Sequence, residues 1–437
     1  MSPEIVILIM VLSLFAVLSA GLPIAFAAGS IGIIFLLVLW GPEALIVAVT
    51  TALHSCSSFV LLAIPLFIMM GAVMERTGIA EDLYRGLYAW TAGVRGGLAM
   101  GTVIIGAIMA AMMGVAGAEV VAIGLIALPS MLKYNYDKKL VLGTTLAAGT
   151  LAQLIPPSML FIIYGSQTGV SVGQLFAGGI GAGSVLVALF ILYIGIRSFF
   201  QKELCPSIPL EDRPNFRQKL GTIPAMIPAF ALIFGVLGAI FSGMATPTEA
   251  AAVGVVGAFL IGGARRRLTF GILKQVLRRT FGFVGMCLWI VIGGTLFASV
   301  FTALGGPEVV EGVFEVTAFG PWGTFAMIMF ALLILGAFLD PVCIIILTTP
   351  IFIPLALSAG FDPIWFGVAF VACLQMSYIT PPFGFSLFFL KGVTPPEITI
   401  GDIYKSVWPF VLIQILGVAI IAIFPQIVLW LPHLLMK

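Results

Sequence analysis

Charge is what this sequence has least of. Only 9% of its 437 residues are Asp, Glu, Lys or Arg, against 61% that are hydrophobic. Soluble domains carry about 25% charged residues, and the mean hydropathy here is +1.22, so the chain reads as an integral membrane protein. Histidine is almost missing: His54 and His433 stand alone, which argues against a transition-metal site. The five cysteines (Cys56, Cys205, Cys287, Cys343, Cys373) are scattered without ligand spacing and read as small buried hydrophobes. No Gly-x-x-x-x-Gly-Lys-Ser/Thr occurs, so the chain has no P-loop for ATP, and the glycines of 178–183 lie within an apolar span rather than after a strand. No basic patch is interleaved with aromatics, which leaves nucleic-acid binding without support. No Ser/His/Asp or Cys/His set is arranged for nucleophilic chemistry, and the polar groups inside the spans are too few for an enzyme. A channel lacks a charged or polar stripe along any span. The N-terminus lacks the basic flank of a secretory signal and reads as a retained helix.

What is present is organised by two double prolines, Ile155-Pro156-Pro157 and Thr380-Pro381-Pro382, each inside an apolar segment long enough to span a bilayer. Proline removes an amide donor and clashes with the preceding turn. In lipid, such a break is tolerated only where protein or a hydrated cavity satisfies the freed carbonyls. Matching breaks in two halves point to a transporter's binding site.

Ten spans are expected at 5–20, 22–40, 58–75, 138–167, 173–197, 221–242, 247–263, 281–303, 363–390 and 406–432, with interfacial segments at 43–56, 80–92 and 268–279. The stretches 98–129 and 321–354 are broken at Gly114-Val115-Ala116-Gly117 and at Gly336 to Pro341, and read as re-entrant hairpins. With the N-terminus outside and both stretches as hairpins, 19 of the 20 Lys and Arg residues fall in the cytoplasm and only Lys437 outside. Both termini are then periplasmic, and the acidic stretch Glu308, Glu311, Glu315 also lies outside.

A constant offset of 225 residues pairs Pro129 with Pro354, Asp137 with Asp362, the two double prolines with each other, and Gly29 with Gly254. Five spans per half make the halves run in opposite directions. The expected architecture is all-α, with two inverted-topology repeats at 1–200 and 220–437, a cytoplasmic linker at 201–219 and two opposed hairpins.

Helix ends inside the membrane offer amides to anions and carbonyls to Na+. The backbone of Ala152 to Pro157 and of Ser377 to Phe383, with the Thr380 hydroxyl, is therefore a candidate ion or substrate site. Acids in apolar surroundings cost roughly 2.5–3.5 kcal/mol at the bilayer centre, so they are functional candidates. Glu119 and Asp340 each follow a hairpin tip and are read as coordinating a cation, carrying a proton or capping a helix. Asp340-Pro341 is also a standard helix start. Glu249, in Thr246-Pro247-Thr248-Glu249, reads as a first-turn acid. No cationic residue is expected within the spans.

Over nearly its whole length the chain resembles the large membrane subunit of tripartite ATP-independent periplasmic (TRAP) transporters. The residues that carry this are Gly21-Leu22-Pro23-Ile24-Ala25-Phe26, Ile64-Pro65-Leu66-Phe67-Ile68, Met74-Glu75-Arg76-Thr77-Gly78-Ile79-Ala80, Ile155-Pro156-Pro157-Ser158, Ala245-Thr246-Pro247-Thr248-Glu249-Ala250 and Thr380-Pro381-Pro382. The resemblance implies a multi-pass protein of the bacterial inner membrane, paired with a small four-helix membrane subunit. A periplasmic binding protein delivers a small organic anion such as a carboxylate or sialic acid. It also implies Na+-gradient-driven symport by an elevator motion. The implied Na+ residues are Ala152, Ile155 and Pro157 in the first half and Gly336, Ser377 and Thr380 in the second, with Ser158 and Thr380 as substrate contacts. One departure stands out. Family members often carry serines at the first tip, where this chain has Val115 and Ala116, with Glu119 nearby. Glu119 replacing those ligands, or coupling to H+, is the expectation that follows. A self-sufficient anion symporter without a binding protein is the alternative.

Overall fold

The computed structural model describes residues 2–91, 93–317 and 320–435. Lys437, expected outside the membrane, and the side chain of Glu315 lie beyond what is described. The described residues contain helices and no strand. In order these are α1 (Pro3–Ser19), α2 (Ile24–Trp40), α3 (Leu45–Cys56), α4 (Ala63–Arg76), α5 (Ile79–Thr91), α6 (Gly97–Met113), α7 (Ala116–Lys133), α8 (Lys138–Thr150), α9 (Met159–Thr168) and α10 (Val172–Phe200). After the linker come α11 (Phe216–Phe241), α12 (Pro247–Ala264), α13 (Phe270–Ala303), α14 (Gly306–Thr317), α15 (Gly320–Gly336), α16 (Pro341–Ser358), α17 (Pro363–Ser377), α18 (Phe385–Lys391), α19 (Ile400–Ile423) and α20 (Gln426–Leu435).

Seven of these helices are long and apolar enough to cross a membrane, and an eighth span arises if the α3–α4 pair, bent by 53° around residues 57–59, is counted as one. That count includes α7 and α16, the distal arms of the expected hairpins. It omits the two proline-broken segments, because their halves α8 and α9, and α17 and α18, are each too short alone.

Local chemistry sets the helix starts. Asp137 accepts from Leu140 N at 3.0 Å to cap α8, and Asp362 accepts from Ile364 N and Trp365 N at 2.9 Å to cap α17. These are the two aspartates that the 225-residue offset pairs, and they do the same work. Asn215 with Gln218, and Thr246 with Glu249, form capping boxes at α11 and α12.

Two segments differ from the sequence expectation. The interfacial helix at 268–279 and the span at 281–303 are one helix, α13, of 34 residues. Thr269 caps it, and no proline interrupts the ladder between them. The expected span at 406–432 is instead divided at Phe424-Pro425 into α19 and α20, since Pro425 has no amide to continue the ladder.

Packing follows a reciprocal pattern. α2 of the first half lies on α13 of the second, and α12 of the second lies on α4 of the first; likewise α8 packs on α19, and α17 on α10. The offset exchanges the members of each pair. Small residues allow the close approaches: a Cβ on Gly29 would sit 3.4 Å from Gly293 Cα, and Gly254 faces Met70. Ion pairs tie the halves at one end, with Asp82 bonded to Arg265 (2.5 Å) and Arg267 (3.0 Å), and Glu75 to Arg279 (2.6 Å). The linker is not loose, because Cys205 and Ile208 are buried and Leu204 O accepts from Asp137 N at 3.0 Å.

Candidate functional site between the two tips

Both double prolines unwind the backbone. After α8 the chain makes a tight turn, Leu151–Gln153, then runs irregularly to Ser158 before α9 begins. The Pro156–Pro157 and Pro381–Pro382 bonds are both cis. In the first break, Leu154 N and Ile155 N donate to Leu151 O at 3.0 and 2.8 Å, and the Ser158 hydroxyl donates to Gln153 O. In the second, the Ser377 hydroxyl donates to Leu374 O and the Thr380 hydroxyl to Met376 O, each at 2.8 Å. Both hydroxyl oxygens keep lone pairs for another partner.

Each tip is docked on its own half's break. Gly114 ends α6 in the left-handed region (φ 61°), and its carbonyl accepts from Met159 N at 3.4 Å. A Cβ there would lie 2.5 Å from Pro157 O. On the other side, Gly336 ends α15 so close to Ser377 that an added Cβ would overlap that side chain, and the Phe338 and Phe383 rings sit 5.8 Å apart. The expected Na+ residues therefore fall in two groups. Ala152, Ile155 and Pro157 lie in a break whose first turn packs on α6 and α7, while Gly336 meets Ser377 three residues before Thr380.

The two tips share one cavity of about 200 Å³. Gly114, Val115, Ala116 and Gly117 of the first tip line it, together with Asp340, Pro341 and Val342 of the second and Phe283 and Met286 of α13. Gln153, Met159, Leu160, Tyr378, Phe385 and Phe389 complete it. A second, wider cavity of about 480 Å³ shares Met286, Asp340 and Phe385 as walls and extends to Pro23, Phe26 and Trp289. Ser158 and Thr380, both expected to contact substrate, line neither cavity; the Ser158 hydroxyl donates to Gln153 O and the Thr380 hydroxyl to Met376 O instead.

The two intramembrane acids diverge. Asp340 caps α16, its Oδ1 accepting from Val342 N at 2.9 Å, and it lines both cavities. Glu119 is 0% exposed, neither carboxylate oxygen has a hydrogen-bond partner in the described structure, and it does not line the shared cavity. A buried polar group without a partner is costly. Gln153 is the site residue that sequence reasoning missed. It is 5% exposed with Oε1 unpartnered, and its only signal was an amide three residues before the double proline in an otherwise apolar run.

Matching breaks, docked tips and a cavity between them describe a carrier, and comparison with known proteins agrees. The profile of the family described as "Tripartite ATP-independent periplasmic transporter, DctM component" matches residues 11–427. The chain belongs to this family. It is a multi-pass membrane transport protein, a TRAP large permease subunit. Among its relatives, the C4-dicarboxylate large permease DctM of Pseudomonas aeruginosa is 32% identical over 91% of this chain and 92% of that protein. The ectoine large permease TeaC of Halomonas elongata is 28% identical, covering 98% and 99%. The sialic acid large permease SiaM of Vibrio cholerae is 28% identical, covering 95% and 96%. The solved YdaH transporter of Alcanivorax borkumensis shares the fold with a TM-score of 0.64 at 14% identity, over 88% of this permease and 89% of that chain.

Proposed function

We propose that this permease is the membrane carrier of a three-part uptake system in the bacterial inner membrane. A periplasmic binding protein delivers a small organic acid, a small membrane subunit completes the carrier, and an inward Na+ gradient drives the step. The observation that carries this is the cavity between Gly114–Gly117 and Asp340–Val342, flanked by the two unwound double-proline segments. Unwound carbonyls with the Ser377 and Thr380 hydroxyls suit Na+, and helix starts facing a cavity suit a carboxylate. The reciprocal packing of α2 on α13 and α12 on α4 supports two inverted repeats at 1–200 and 220–437. In that arrangement α6–α7 and α15–α16 are opposed re-entrant hairpins, both termini are periplasmic, and the tips move with their breaks as one elevator body. The relatives' cargoes, a C4-dicarboxylate, ectoine and sialic acid, mark the range from which the substrate comes.

A second reading, H+-assisted coupling through Glu119, is favoured by its full burial without a partner. Uptake into proteoliposomes holding the complex, with Na+ and pH gradients imposed separately and the binding protein present or omitted, tests both. Uptake that follows the Na+ gradient and needs the binding protein is the expected result. Uptake without that protein supports a self-sufficient symporter. If Glu119→Gln leaves the dependence on each gradient unchanged, Glu119 has no part in coupling.

A further inference from the structure

Each break is also met by a helix that follows it, and the two meetings differ. The offset of 225 residues pairs Gly179 of α10 with Tyr404 of α19, and each position faces the break of its own half. A Cβ on Gly179 would lie 2.5 Å from Leu154 O, so α10 meets the first break backbone against backbone. In the second half α19 reaches across with a side chain: the Tyr404 phenol donates to Pro382 O at 2.7 Å. That carbonyl is the counterpart of Pro157 O, the atom on which the first tip presses.

The second break has little else to orient it. A double proline removes two amide donors, so the unwound chain makes few bonds of its own. Thr380 O accepts from Gly384 N at 3.1 Å, which closes a loop over Pro381, Pro382 and Phe383. Ser386 N donates to Tyr378 O at 3.2 Å. Among the described residues, every other hydrogen bond of 378–384 stays within α17, the break and α18, and Tyr404 supplies the one bond from elsewhere. The phenol is itself well anchored, because α19 starts in a capping box of Thr399 and Asp402 just before it. Tyr404 lines neither cavity, so it acts on the break and not on a solute. Ligands held in place before binding lose less freedom when the ion arrives.

Resting on the Na+-driven function proposed above, we infer that Tyr404 is a positioning residue for Na+ at the second break. Its bond to Pro382 O fixes the loop that starts at Thr380, and so fixes where the Thr380 hydroxyl and the neighbouring carbonyls point. The first half needs no such side chain, since Gly179 and Gly114 bring backbone directly onto its break.

The test measures binding of radioactive Na+ to the complex of this permease with its small membrane subunit in lipid nanodiscs, with choline keeping the ionic strength constant. Tyr404→Phe keeps the ring and removes the donor, and the half-saturating Na+ concentration is expected to rise about two- to tenfold, the worth of one hydrogen bond. Tyr134→Phe removes another phenol, bonded to Asp212 of the linker at 3.3 Å, and is expected to change nothing. Because Tyr404 acts through Thr380, adding Tyr404→Phe to Thr380→Val is expected to weaken Na+ no further than Thr380→Val alone. Thermal unfolding in choline is run alongside. A lower unfolding temperature for Tyr404→Phe with an unchanged half-saturating concentration makes the bond structural only and overturns the inference. Two effects that multiply in the double variant overturn it as well. Either result leaves the Na+-driven function standing, whereas a wild-type complex that binds no Na+ removes that function and the inference together.

Discussion

The two tip-and-break assemblies do the same job with different materials. In the first half, the tip is held backbone against backbone: Gly114 offers its carbonyl to Met159 N and presses on the carbonyl of Pro157. Its flanking residues, Val115 and Ala116, contribute no side-chain oxygen. In the second half, Gly336 presses on a side chain, Ser377, and hydroxyls stand at both 377 and 380. The acids differ in the same direction. Asp340 is spent partly on a helix cap and faces the cavity, whereas Glu119 is enclosed without a partner. The two assemblies therefore share an unwound double-proline backbone and distribute their polar groups differently.

Glycine substitutions at the tips give the largest effects. Gly114→Ala combines a left-handed backbone, about 1–2 kcal/mol for a residue with a Cβ, with overpacking of roughly 1–3 kcal/mol. No trimming of a neighbouring side chain should restore it, because the obstacle is the Pro157 carbonyl. Gly336→Ala should cost roughly 1–3 kcal/mol from overpacking alone, and Ser377→Gly should recover most of that loss in the double variant. Thermal unfolding of the detergent-solubilised protein reads all of these. Recovery at Gly114, or its failure at Gly336, would break the contrast between the tips.

The two acids should shift stability in opposite directions. Glu119→Met removes a buried polar group without a partner and is expected to stabilise by about 1–3 kcal/mol. Asp340→Ala removes a helix cap and is expected to destabilise by about 1 kcal/mol. The same unfolding measurement decides it; a loss of stability in Glu119→Met would mean that the carboxyl has a bonding partner in the membrane.

The smallest effect should come from the breaks. Thr380→Val keeps the shape and removes an oxygen, so the Na+ concentration for half-maximal uptake should rise by about three- to tenfold, the worth of one polar contact. Ile155→Val at the corresponding place should leave it unchanged. Equal responses would place the ion away from the second break.

Much of the fold was legible because its signals are local. Asp137 and Asp362, Thr246 with Glu249, and Asp340 before Pro341 are helix starts that announce themselves by residue type and spacing, and each caps the helix it precedes. The paired breaks were legible because a double proline admits few structures. What sequence reasoning misplaced depended on continuity or convergence. The joint at 279–281 carries basic residues on one side and apolar ones on the other, which resembles a boundary, yet nothing there stops the helical ladder and α13 runs through. Gln153 carried no pattern because its importance comes from two distant tips meeting beside it. That α13 lines the cavity through Phe283 and Met286 is a property of the assembled chain and belongs to no single segment.

That unbroken helix also sets a length scale for the whole molecule. The two joined cavities meet it between Phe283 and Ile290, a stretch of roughly 10 Å at 1.5 Å per residue, about a third of a ~30 Å hydrocarbon core. A solute in the joined cavities has a wall on this helix for only about a third of that thickness. That stretch is the ruler against which any second conformation of this permease can be measured.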